Sequence, residues 1–145
     1  MKLWILSDLH MEKRSLLPVQ KSPDFDVLVC AGDIFDGNPA YSMNVVRSFA
    51  GDRPAVFVSG NHEYWHLGTA AAAIDAARAA AARTGVHFLE RDTVVIGGVT
   101  FAGATLRDEP PAPETVSFLE KSHADVVVTH FPPSPEVFAR VQASL

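Results

Sequence analysis

Four short apolar runs divide the chain: Leu3-Trp4-Ile5-Leu6, Val27-Leu28-Val29-Cys30, Ala55-Val56-Phe57-Val58 and Val126-Val127-Val128. None alternates polar with apolar. Each therefore reads as a strand buried on both faces, over residues 3–7, 26–32, 55–59 and 125–129. Between them the pattern changes to a helical period. Met43, Val46 and Phe49 put an apolar stripe on a helix over 41–49, after a break at Gly37-Asn38-Pro39. An alanine-rich stretch predicts a covering helix over 69–83, with Thr69 and Gly85 marking its ends. A short helix is expected over 114–123. Ser134-Pro135 starts another, with Val137, Phe138, Val141 and Leu145 on its apolar face. Residues 87–89 form a short strand, and 93–96 and 99–102 a hairpin turned at Gly97-Gly98. The polar stretch 11–24 is a loop, Gly51 to Pro54 a turn, and the proline-rich stretch 107–113 a connection with no assigned role. Strands alternating with helices, then a hairpin, predict an α/β domain with mixed sheets over residues 1–145.

The four buried strands share a second feature. Each runs into residues that do chemistry: Ser7-Asp8-Leu9-His10, Gly32-Asp33, Gly60-Asn61-His62-Glu63 and Thr129-His130. In open α/β sheets ligands bind beyond the carboxyl ends of the strands, so four such ends imply one site. Asp8 and His10 stand two apart, and a strand period of two would put both on one side. That spacing suits two ligands of one metal. Asp33 offers a carboxylate that can bridge two ions, and Asn61 and His130 would serve the second. Two metals roughly 3.5–4 Å apart can clamp the attacking and leaving oxygens of a displacement at phosphorus and acidify water between them.

Composition narrows the classes of function. Of 145 residues, 48% are hydrophobic and 20% charged, enough apolar material for one core. The net charge is −5 and no basic cluster occurs, which disfavours a nucleic-acid groove or an anionic-membrane patch. Neither a Gly-x-Gly-x-x-Gly nor a P-loop follows a strand, which argues against a doubly wound nucleotide-binding domain. The single cysteine, Cys30, lies within an apolar strand and reads as a core thiol. The N-terminal apolar run is too short for a signal peptide, and no run has membrane-spanning length, so a cytoplasmic location is expected.

Taken together, Asp8-Leu9-His10, Gly32-Asp33, Gly60-Asn61-His62-Glu63 and Thr129-His130 resemble the successive motifs of the calcineurin-like metallophosphoesterase superfamily. The resemblance implies a two-sheet β-sandwich flanked by helices, with a dinuclear site at its edge. It implies that Asp8 and His10 bind one ion, Asp33 bridges, and Asn61 and His130 bind the other. His62 would contact the phosphate and protonate the leaving oxygen. Glu63 would orient the ligands. The cofactors would be two divalent ions of Mn, Fe or Zn type. The expected activity is hydrolysis of a small-molecule phosphomonoester or phosphodiester by a metal-bound hydroxide.

The family also carries a later Gly-His-x-His motif, and the 145 residues hold none. The resemblance then implies a shortened member with its second sheet short of strands, an exposed edge open to self-association, and one imidazole fewer on each ion. The alternative function is a catalytically poor binding or interaction module. The other histidines have plainer readings: His87 opens a strand, His123 ends a helix on the surface, and His66 is a surface residue or lines the cleft. Asp36 is expected as a helix cap or a support for the site, and Tyr64 and Trp65 as packing residues, with stacking on a substrate as the alternative.

Overall fold

The computed structural model describes residues 1–13, 21–107 and 110–143. It is an α/β fold of two sheets between two layers of helices, as expected. The first sheet has strand order β1 (Leu3–Leu6), β2 (Val27–Cys30), β3 (Ala55–Phe57) and β4 (His87–Phe88), all parallel. The second runs β5 (Asp92–Ile96), β6 (Val99–Ala104) and β7 (Val126–Thr129). Its first pair is antiparallel and its second parallel.

Period-two alternation explains why the buried strands read as unbroken apolar runs. On β2, Leu28 and Cys30 face the helices while Val27 and Val29 face the other sheet. Helices α1 (Pro39–Ala50) and α2 (Ala70–Thr84) cover the outer face through Met43, Val46, Ala77 and Ala80. Phe101 and Val128 come from the second sheet to meet Val27, Val29, Val56 and Val58 between the layers. Helices α3 (Pro113–Lys121) and α4 (Pro135–Gln142) close the far side, packing Val116, Leu119, Val137 and Val141 with Ala102 and Ala104 of β6.

Local signals set most of the element ends. Thr69 accepts from Ala72 N–H at 3.2 Å and Gly85 follows α2 in the left-handed region. Gly97 and Gly98 both have positive φ, as a two-residue hairpin between Ile96 and Val99 requires. One expectation needs correction. Gly37-Asn38-Pro39 does not merely break the chain; it starts α1. Asn38 Oδ1 accepts from Tyr41 N–H at 3.0 Å, and Pro39 occupies the first helical position, where a missing N–H costs nothing. In α4, Ser134 caps as expected and Val137 and Val141 are buried, but Phe138 points outward. Residues 14–20 of the expected loop, and Leu145, lie outside the described residues.

Candidate metal centre

The strand ends converge, but not by the route the strand period suggests. β1 stops at Leu6, before Asp8 and His10. Both have positive φ, 55° and 46°, as does Asp33 at 56°. Asp and His tolerate this region better than most residues, and backbone held there tends to mark a functional site. The bent segment is laced to the turn after β2. Asp8 N–H donates to Gly32 O at 2.9 Å, His10 N–H to Asp33 O at 3.1 Å and Met11 N–H to Ile34 O at 2.8 Å. Asp8 and His10 thus reach one site through left-handed bends, which corrects the argument from an extended strand.

Two glycines allow the turns of β2 and β3 to touch. A Cβ on Gly32 would lie 2.1 Å from Gly60 N, and one on Gly60 would lie 2.0 Å from Asp33 Oδ1. Glu63, 1% exposed, then fastens this junction. Its Oε2 accepts from Asp33 N–H and Gly60 N–H at 2.9 and 2.8 Å. Its Oε1 accepts from Ile34 N–H at 2.8 Å, Phe35 N–H at 3.2 Å and the Ser42 hydroxyl at 2.9 Å. Glu63 therefore acts on the backbone that carries Asp33, not on a ligand side chain.

Asp33 sits at the centre of the cluster. Its Oδ1 accepts from His62 N–H at 3.0 Å, which leaves Oδ2 to face other groups. Three imidazoles turn Nε2 toward that oxygen: His130 at 3.5 Å, His62 at 3.6 Å and His10 at 3.9 Å. Each has an acceptor at its other nitrogen. Nδ1 of His62 is 2.6 Å from Asp36 Oδ1, that of His130 2.6 Å from Ala31 O, and that of His10 3.2 Å from Glu12 Oε1. A carbonyl only accepts, so His130 carries its proton on Nδ1 and presents a lone pair at Nε2 when neutral. That lone pair faces Asn61 Oδ1 at 3.3 Å and Asp33 Oδ2 at 3.5 Å. Electron-pair donors facing each other call for a proton or a cation among them, and a divalent cation would serve. The mixed N/O donor set suits Mn, Fe or Zn. Asp8 completes the group from the solvent side, its Oδ1 4.0 Å from His10 Nε2.

Three sets of side chains offer donor atoms within 4.8 Å of one another: His10, Asp33 and His62; Asp8, Asp33 and His130; and Glu12, Asp36 and His62. All the expected site residues thus gather around Asp33, with His62 as near to it as the others. His66, His87 and His123 are exposed and belong to none of these sets. Of the two roles expected for Asp36, support of the site is the one seen, since Asn38 caps α1. Trp65 packs at the site and not in a core. It is 43% exposed, and its ring lies 3.8 Å from that of His62 at 32° between planes. Tyr64 is half-buried, its hydroxyl donating to Glu90 Oε2 at 3.1 Å; burial, with Glu90 beside it, raises the phenol's pKa.

A family model for calcineurin-like phosphoesterases matches residues 1–143. The chain belongs to the calcineurin-like phosphoesterase family. Comparison with curated proteins finds no match.

This family hydrolyses phosphoesters with divalent metals, and this member has the side-chain groups to hold them. Among its described residues no helix is long and apolar enough to cross a membrane. Two residues of this calcineurin-like phosphoesterase site were missed by the sequence reading. Glu12 lay in a stretch read as loop, although its place two residues after His10 was a signal available in the sequence. Ala31 contributes a carbonyl, which no side-chain motif encodes.

Proposed function

We propose that the chain is a phosphoesterase with two divalent ions, acting on a small-molecule phosphomonoester or phosphodiester. The observation that carries this reading is Asp33 Oδ2, faced by three imidazole Nε2 atoms within 3.9 Å. Asp8 and His10 would hold one ion, Asn61 and His130 the other, with Asp33 between them and Glu63 fixing the backbone of Asp33. When bound, the ions supply acidified water and neutralise charge on the phosphoryl oxygens.

The chain's own residues supply the rest. Asp36 holds His62 Nδ1, so Nε2 is the ring atom left to give a proton to the leaving oxygen. Trp65 covers one face of that ring and limits its rotation. His62 needs no ligand duty, because Asn61 beside it points to His130. His62→Ala is expected to lower turnover of an aryl phosphodiester by about 10²–10⁴-fold. Metal content should stay at the wild-type level. A variant that loses its metal instead would move His62 into the ligand set and contradict the assignment.

A second reading is a metal-poor binding or interaction module. Metal content and turnover measured on one preparation separate the two. The first reading requires both; the second requires neither.

A further inference from the structure

We infer that Glu12 is a positioning residue for His10: its carboxylate holds the Nδ1 proton and so presents Nε2 to the metal centre. The inference rests on the proposed metal-dependent function and names a residue outside its ligand set. Glu12 lies in the short 3-10 turn Met11–Lys13, immediately after the segment laced to the turn of Asp33. Lys13 N–H donates to His10 O at 2.9 Å, so this turn folds back on His10 itself. The Glu12 side chain is only 15% exposed, and its Oε1 is 3.2 Å from His10 Nδ1.

The chemistry of this contact points beyond packing. Among the described residues, Glu12 Oε2 is buried without a hydrogen-bond partner. A buried, half-satisfied carboxylate is costly, and a neutral acceptor would satisfy Nδ1 more cheaply. The neighbouring imidazoles show both solutions: His130 uses the neutral carbonyl of Ala31, His62 the carboxylate of Asp36. A carboxylate adds something a carbonyl supplies only weakly. It raises the basicity of the ring and strengthens Nε2 as a donor to a cation. The negative charge of Glu12 is therefore matched to a cation on the far side of His10, where Nε2 faces Asp8 and Asp33 at 4.0 and 3.9 Å. Among the described residues, the lysine on its own side, Lys13, holds Nζ 4.0 Å away and is two-thirds exposed.

The test reads the ring directly. In metal-free protein at mildly alkaline pH, where imidazoles are neutral, ¹⁵N NMR reports the tautomer of His10. Wild type is expected to hold the proton on Nδ1, and Glu12→Ala to release it to the mixture of a free imidazole. Glu12→Gln keeps an acceptor and should keep the Nδ1 proton, yet lose the charge. Manganese titration is expected to show affinity lowered about 10–100-fold in Glu12→Ala and less in Glu12→Gln. An unchanged His10 tautomer in Glu12→Ala would overturn the inference. If that variant does not fold by circular dichroism, Glu12→Gln decides: manganese affinity equal to wild type overturns the role of the charge. The tautomer is read without metal, so a wild type that binds no manganese would sink the proposed function while leaving this arm decisive.

Discussion

The two sheets contribute to the centre in opposite ways. The rim of the parallel sheet carries Asp8, His10, Asp33, Asn61 and His62, and its turns are tied to one another. Three backbone hydrogen bonds lace residues 8–11 to residues 32–34, and five donors converge on Glu63. Among the described residues, the rim of the second sheet brings His130 alone. It is secured by its own Nδ1 on Ala31 O and, next door, by Phe131 N–H donating to Thr105 O at 3.3 Å. One half of the site is thus built into the fold, while the other half is docked against it. A site made this way has its stability in one sheet and its closure in the contact between two.

The most forceful way to break that asymmetry is at Glu63. Glu63→Ala leaves buried donors on Asp33, Ile34 and Gly60 without an acceptor, at about 1–3 kcal/mol for each such group, though not additively. We expect the variant to lose at least about 3 kcal/mol of stability in urea unfolding, and its metal with it. A loss below about 1 kcal/mol would mean the parallel rim does not depend on this clamp.

His130→Ala is the complementary change. It removes a proposed metal donor but orphans only a carbonyl, so its stability cost in the metal-free protein is expected to stay near 1 kcal/mol. Metal content should fall while urea unfolding barely moves. A stability loss as large as that of Glu63→Ala would erase the distinction between a built half and a docked half.

The smallest effect is expected at Cys30, under the parallel rim. The thiol is fully buried, and burial pushes its pKa from 9.0 to about 12. Stability tied to the neutral thiol is therefore present below pH 9.0 and declines as pH rises toward about 12. Alkylation near neutral pH should proceed only through opening of the parallel sheet. Glu63→Ala should accelerate it, and His130→Ala should leave it at the wild-type rate. Equal acceleration in both would show that the two rims open together.

Much of this arrangement was legible in the chain. Buried parallel strands announce themselves as apolar runs, and the polar residues that end them could only gather at one edge. The caps at Thr69 and Ser134 and the Gly97-Gly98 hairpin followed from local chemistry. What was not legible came from contacts across the chain. Asp8 and His10 converge through left-handed backbone set by hydrogen bonds to residues 32–34, which no strand period encodes. Asn38-Pro39 looked like a break because a cap and a breaker share residue types. Trp65 was read as packing, and it does pack, but nothing local says that the ring beneath it is His62. The support of the imidazoles divides the same way: Asp36 was within sight of its motif, while Ala31 O needed the fold.

The central claim is that Asp33 joins two metal sites, and metal content tests it most directly. Elemental analysis of wild type and Asp33→Asn, purified in parallel with Mn, Fe and Zn present, is the measurement. Wild type is expected to retain divalent metal, and Asp33→Asn to retain less by a factor of about ten or more, since a bridging ligand should matter at least as much as its supports. Asparagine keeps the size and one oxygen of the side chain, so the comparison isolates the charge that faces the three imidazoles. Equal metal in the two proteins would contradict the claim.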